Sequence, residues 1–80
     1  MENEIIKNYY KVKDLYIVSL LLCLNFNFKQ TERVGDVLFF YFDCKEDCEK
    51  IVSDYYNRNI KIEPLKYVES MKVAKNLIYK

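Results

Sequence analysis

The hexapeptide VLFFYF, residues 37–42, constrains the fold more than any other part of the sequence. Alternate side chains of a strand point to opposite faces, and here both faces are apolar. Such a strand lies at the centre of a sheet or is covered on both sides, and a partner protein is one way to supply the second cover. Because Gly35 and Asp36 separate it from the loosely alternating residues 28–34, a type II′ hairpin is predicted, with Gly35 at its first central position.

A helix is predicted before this hairpin, in the apolar run LYIVSLLLCL at 15–24. Asp14 is placed to cap it, and only Ser19 interrupts its apolar surface. A helix that is apolar all round must be covered on most sides. The run is also too short to cross a membrane, which takes about 20 residues.

A second helix is predicted after the hairpin, from Asp43 to about Tyr56. Asp43 is the predicted N-cap and Glu46 its capping-box partner. Asn57 and Asn59 suit a left-handed exit from this helix.

The C-terminal part of the chain predicts a short strand and a third helix. Ile60–Ile62 is the predicted third strand, whereas Tyr9–Lys13 is either a short strand or an extended lead-in. Pro64 suits the first position of the last helix. The predicted inner face of that helix consists of Leu65, Val68, Met71, Ala74 and Ile78.

These elements predict a single small domain, 1–80, in which residues 1–8 are flexible. The fold class is α+β: a small antiparallel sheet, made of one hairpin plus a short strand, packed with three helices.

The composition removes most catalytic chemistry. The chain has no His, so it lacks the commonest general base and any Ser-His or Cys-His nucleophile. It also has no glycine-rich phosphate loop and no nucleophile elbow. We therefore expect no catalytic residue, no cofactor and no enzyme activity.

The cysteines are interpreted as structural. Cys44 and Cys48 lie in DCKEDCEK, residues 43–50, but a zinc site usually needs four Cys or His ligands and a redox pair is usually C-x-x-C. We expect both to be helix residues, with Cys48 and Cys23 in the core, and we expect no metal site. Three cysteines without a recognisable secretion signal indicate free thiols in a reducing cytoplasm.

The second helix carries the first candidate binding surface. Glu46, Asp47 and Glu49 at its start, with Tyr56 and Arg58 at its end, are candidate protein contacts, because Tyr and Arg are enriched at interfaces. The alternative is that the acids are a solvated first turn that complements the helix dipole, and that Tyr56 is a partly buried edge.

The last helix carries the opposite charge. Lys66, Lys72 and Lys75 are candidates for nucleic-acid contact, with Tyr67 or Tyr79 stacking on bases. The alternative is a solvated face with scattered lysines. The chain has only two arginines, on which base-specific readers lean, and its net charge is only +1.

Two segments resemble a family of small uncharacterised proteins from Firmicute-type bacteria and their phages or prophages. They are KDLYIVSLLL at 13–22 and NIKIEPLKYVESMKVAKNLIY at 59–79, joined by a hairpin and a helix. The resemblance covers about residues 13–79. It implies a mobile-element setting and a small α+β fold, and it carries no functional residues over.

We therefore expect a non-enzymatic binding protein in the cytoplasm, which is the host cell's cytoplasm if the gene belongs to a phage. It would contact a larger bacterial protein or ribonucleoprotein complex and inhibit a host system such as CRISPR-type defence, as an anti-CRISPR protein does. A homodimer is compatible with this, because the first helix and residues 37–42 carry much apolar surface. No membrane association is expected. The alternative is a small nucleic-acid-binding regulator that uses the basic C-terminal helix.

Overall fold

A computed structural model describes residues 8–79 of the chain. The elements, in chain order, are β1 (Tyr10–Val12), α1 (Leu15–Cys23), β2 (Phe28–Val34), β3 (Val37–Phe42), α2 (Lys45–Tyr56) and α3 (Pro64–Ile78). This is the predicted α+β fold, with a small antiparallel sheet and three helices. The segment predicted to be flexible, 1–8, lies outside the described residues except for Asn8, which is in a turn.

β3 is the central strand, as its two apolar faces predicted. β1 and β2 pair with its two edges in antiparallel fashion, giving the order β1-β3-β2. Val34 pairs with Val37 across the turn, where Gly35 has a φ of +61° and Asp36 does not share the positive φ. The turn is therefore type II′, as predicted. A Cβ at Gly35 would meet no atom within 4 Å, so the backbone angle alone favours glycine there.

The third strand of the sheet comes from one of the two short segments considered. β1, at Tyr10–Val12, lies within Tyr9–Lys13 and confirms the strand alternative there, whereas the prediction of a strand at Ile60–Ile62 was wrong, because that segment links α2 to α3. Both edges of β3 are already paired, by β1 and β2. The outer edges of β1 and β2 are open, but the exit from α2 and the Glu63 cap of α3 lie on either side of this short link, and it pairs with neither edge.

A bulge shapes the start of the hairpin. The pairing of β2 with β3 shifts between Phe28 and Gln30. The Phe28 ring lies 5.6 Å from the Phe40 ring and 6.0 Å from the Phe42 ring. The extra residue, Lys29, places its ammonium 3.8 Å from the Asp43 carboxylate.

The hydrophobic core lies between the helices and one face of the sheet. It consists of Ile17, Val18, Leu21, Phe40, Phe42, Cys48 and Ala74. Cys48 is thus a core residue, as predicted. Within residues 8–79, no helix is both long and apolar enough to cross a bilayer.

The opposite face of the sheet is polar around a buried tyrosine. Tyr41 is 2 % exposed and its hydroxyl donates to Glu32 Oε1 at 2.9 Å. Lys11 reaches across from β1, with its Nζ 4.4 Å from the centroid of the Phe39 ring and 3.7 Å from Glu32 Oε1. Side chains of the sheet itself therefore surround the outer apolar face of β3.

α1 begins and ends as its sequence predicted. Asp14 Oδ1 accepts from the backbone N–H groups of Tyr16 at 2.8 Å and Ile17 at 3.2 Å. Ser19 is fully buried but donates its hydroxyl to the Leu15 carbonyl, so this hydroxyl is not left unpaired. Asn25, with a φ of +66°, turns the chain after the last turn of the helix.

α3 begins as predicted but is rotated relative to the predicted inner face. Glu63 caps it by accepting from the Lys66 N–H, and Pro64 occupies its first turn. Met71, Ala74 and Ile78 lie on the buried or half-buried side as predicted. Leu65 is 62 % exposed and Val68 45 %, so their placement in the core was wrong. Tyr67, Ser70 and Leu77 take the inner positions instead, because Ala74 lets α1 approach at the centre of that side.

Arg33 joins the hairpin to the end of α3. Its guanidinium donates to the Ile78 carbonyl at 3.1 Å. The last carbonyls of a helix have no partner within the helix and carry a partial negative charge, so a cation there stabilises the helix end.

Candidate functional site

The start of α2 differs from the predicted cap. The N-cap is Cys44, with a φ of +58° and no side-chain capping bond. Asp43 lies one residue outside, and its Oδ1 accepts from the Cys44 N–H at 2.9 Å. The left-handed turn at Cys44 moves the Asp43 carboxylate away from the first helical N–H groups. The predictions of an Asp43 cap, of a Glu46 capping box and of Cys44 as a helix residue were therefore wrong.

Three of the predicted contact residues lie on one exposed side of α2. Glu46, Glu49, Ser53 and Tyr56 follow steps of three, four and three residues, which places them along one helix face. All four are exposed, and Tyr56 is 67 % exposed. We call these four residues the acidic face of α2.

Tyr56 is held by a neighbour that reaches the core. Its ring packs edge-on to the Tyr55 ring, with centroids 5.3 Å apart, and Tyr55 packs against the core. An aromatic side chain that is exposed yet supported on one side suits a contact anchor, because little conformational freedom remains to be lost on binding.

The other two predicted contact residues lie elsewhere. Asp47 is nine residues before Tyr56, so it lies about 180° around the helix from it. It lines a shallow recess of about 370 Å³ together with Asn8, Cys44, Lys45 and Glu46. This recess is at the end of α2 that is far from Tyr56.

Arg58 forms the exit from α2. It has a φ of +62°, and its N–H donates to the Tyr55 carbonyl at 3.0 Å while the Asn59 N–H donates to the Asp54 carbonyl at 2.8 Å. These two bonds define a Schellman motif, in which the left-handed residue is usually glycine. The left-handed residue is thus Arg58, so the prediction of Asn57 and Asn59 for this role was wrong.

The cysteines show no arrangement for chemistry. Cys48 is fully buried, its thiol donates to the Asp43 carbonyl at 3.3 Å, and burial, with the nearby Cys44 and acidic side chains, raises its pKa to about 12. It is therefore a protonated, unreactive thiol at neutral pH. Cys23 is buried as predicted, and Cys44 is exposed. Among residues 8–79, no three Cys, Asp or Glu side chains come together in a way that could hold a metal ion.

The predicted nucleic-acid residues do not lie together. Lys72 and Lys75 lie on the exposed side of α3 that also carries Leu65 and Val68, and we call these four residues the basic face of α3. Lys66 is nine residues before Lys75, so it lies about 180° around the helix.

The surroundings of the lysines separate them further. Lys66 lines a second recess, of about 350 Å³, with Leu22 and Asn25 of the α1 end. Tyr79, at the end of α3, is 80 % exposed and follows Lys75 by one turn. Tyr67 is half-buried and donates its hydroxyl to the Tyr16 carbonyl at 3.1 Å, so it is bound within the fold rather than free to stack.

A family model described as a domain of unknown function (DUF5659) matches residues 7–80. The chain belongs to this family. The DUF5659 match spans every strand and helix that the structure describes, so the two helix faces are features of the domain itself and not of an added segment. No curated protein and no solved structure matches the chain.

Sequence reasoning missed the apolar half of the basic face of the DUF5659 domain. Leu65 lies nine residues before Ala74 and so about 180° around the helix from it, whereas Tyr67, Ser70, Met71, Ala74 and Ile78 share one side. The signal that could have decided between them is Ala74, because a small residue at the centre of a stripe allows a neighbouring helix to pack closely.

Proposed function

We propose that the protein is a non-enzymatic binding protein that contacts a larger protein through the acidic face of α2. The observation that supports this is Tyr56, a large exposed aromatic side chain aligned with two carboxylates, Glu46 and Glu49. Aromatic anchors dominate binding energy at protein interfaces, and flanking charges steer the encounter and set its specificity.

The proposed partner is a bacterial protein or ribonucleoprotein complex. In the form that the resemblance to small bacterial and phage proteins implies, the gene is carried by a phage or another mobile element. The protein then acts in the host cytoplasm as an inhibitor of a host system such as CRISPR-type defence. The acidic face carries only two carboxylates, so Tyr56 rather than charge mimicry of nucleic acid would supply most of the affinity.

Capture from host lysate with matched variants tests this proposal. The unaltered protein should retain a partner in fixed proportion, and both Tyr56→Ala and Glu49→Lys should lose it. Asp47→Lys makes the same charge change about 180° from Tyr56 and should retain the partner. Absence of any stable partner, or equal loss with Asp47→Lys, would refute the proposal.

A second candidate function is binding of single-stranded nucleic acid by α3. It is supported by Lys72, Lys75 and the 80 % exposed Tyr79, which combine phosphate-neutralising charge with a ring for base stacking. Fluorescence anisotropy at low salt should then show binding that Lys72→Glu with Lys75→Glu abolishes. Lys66→Glu, on the other side of the helix, should have little effect. A flat titration at low salt would exclude this function.

A further inference from the structure

The exposed faces of α2 and α3 have the same residue spacing in opposite chain directions. Along α2 the acidic face follows steps of three, four and three residues from Glu46 to Tyr56. Along α3 the basic face follows the same steps when read backwards from Lys75 to Leu65. At a rise of 1.5 Å per residue, both faces are about 15 Å long. Two helices with these faces can therefore lie antiparallel with every position of one opposite a position of the other.

In this antiparallel register the charged halves match. Glu46 faces Lys75 and Glu49 faces Lys72, so each carboxylate meets an ammonium. The ion pairs between described residues are Lys11 with Glu32 and Lys29 with Asp43, and they use none of these four side chains. All four are exposed and therefore accessible to another molecule.

The other halves match in polarity. Tyr56 faces Leu65, and Ser53 faces Val68. Tyr56, Leu65 and Val68 are 67 %, 62 % and 45 % exposed, so an apolar contact between them would remove unusually exposed apolar surface from water. One half of the contact is thus electrostatic and the other hydrophobic.

The alternatives fit less well. Paired with itself in the same antiparallel register, either face sets its charged side chains against its own uncharged ones, as Glu46 against Tyr56 and Lys75 against Leu65. A parallel register of either face with itself sets like charges against each other. Only the combination of the two different faces gives each charge an opposite partner. Within one folded chain both faces are exposed and do not cover each other, so each is accessible to a second copy.

We propose that the protein self-associates by docking the acidic face of α2 in one copy, antiparallel, onto the basic face of α3 in a second copy. The contact joins two different surfaces, so a closed dimer forms it twice and open repetition forms larger assemblies. It does not rest on the proposed function, because it requires no partner other than a second copy.

Charge reversal with complementation tests this contact. Sedimentation equilibrium should show a mass above that of the monomer, falling as salt is added. Glu49→Lys alone and Lys72→Glu alone should each weaken self-association by about tenfold or more, because an attraction becomes a repulsion. An equimolar mixture of the two variants should restore it, because the new lysine of one then faces the new glutamate of the other.

Matched controls separate this contact from general charge effects. Asp47→Lys and Lys66→Glu make the same charge changes on the far sides of the two helices and should leave the mass unchanged. Glu46→Lys mixed with Lys75→Glu is a second complementing pair, and circular dichroism checks that each variant is folded. A monomeric mass at all concentrations, a mixture that fails to reassociate while both variants are folded, or equal weakening by Asp47→Lys would overturn the proposal.

Discussion

Among residues 8–79, three residues other than glycine hold left-handed backbone angles, and each lies at a helix end: Asn25, Cys44 and Arg58. Asn tolerates this conformation well, but a residue with a longer side chain is less favourable there than glycine. The left-handed angle of Arg58 therefore carries a cost in stability.

Replacing Arg58 with glycine should stabilise the fold. We expect Arg58→Gly to raise the free energy of unfolding by about 0.5–1 kcal/mol, because the left-handed angle then costs little. Asn57→Gly is the control. Asn57 has a φ of −87°, an angle at which glycine offers no advantage, so this substitution should lower the free energy of unfolding. Urea unfolding of both variants measures this, and equal destabilisation by the two would contradict it.

The buried thiol of Cys48 should make the fold sensitive to alkali. Its pKa is about 12 in the folded chain against an ordinary value of 9.0, so above pH 9 the unfolded chain loses the proton first. The free energy of unfolding should therefore fall as pH rises from 9 towards 12, by at most about 1.4 kcal/mol per pH unit from this group. Thermal unfolding from pH 7 to 10 measures the fall. In Cys48→Ala the free energy of unfolding should fall less steeply with pH. An identical slope in the two proteins would contradict a role of the Cys48 thiol.

At the scale of elements, the sequence predicted every helix and the hairpin, because these depend on local signals. Asp14, Pro64 and Gly35 each act where their chemistry requires. The errors arose where two local signals competed. Asp is among the residues most favoured at an N-cap, but the left-handed angle at Cys44 makes Cys44 the N-cap and leaves Asp43 one residue outside the helix. Ile60–Ile62 has strand-like residues, but it forms a short link between two helix ends and pairs with neither outer edge of the sheet.

The rotation of α3 can be measured with one substitution at two positions. Leu77 packs against the core, so Leu77→Ala should lower the free energy of unfolding by about 1–3 kcal/mol. Leu65→Ala, at an exposed position of the same helix, should change it by less than about 0.5 kcal/mol. Chemical denaturation compares the two variants. A larger loss of unfolding free energy in Leu65→Ala than in Leu77→Ala would support the inner face predicted from the sequence.

At the scale of the whole molecule, the candidate surfaces depend on which sides the fold leaves exposed. Composition indicated separate acidic and basic regions, and both exist. Helical spacing places Asp47 about 180° from Tyr56 and Lys66 about 180° from Lys75, but which of these sides faces the core depends on how each helix packs. With the exposure known, the acidic face of α2 is available both to a larger partner and to a second copy.

These two uses of the acidic face should compete. Lys72→Glu leaves the acidic face intact but removes its complement in the second copy. At protein concentrations where the unaltered chain self-associates, this variant should bind the larger partner more tightly, because less of its acidic face is occupied. Titrations of the partner at increasing concentrations of each protein test this. Equal affinity at every concentration would show that self-association and partner binding use different surfaces.

The bond from Arg33 to the Ile78 carbonyl has a consequence for the dynamics of the chain. It links two segments that are 45 residues apart in sequence, and the bond itself is exposed to solvent. Helix ends and hairpin tips ordinarily fray independently, but here opening one removes a stabilising contact from the other. The amide hydrogens of the last turn of α3 and of the β2–β3 tip should therefore exchange with solvent at correlated rates, as a single opening unit that Arg33→Ala would divide into two.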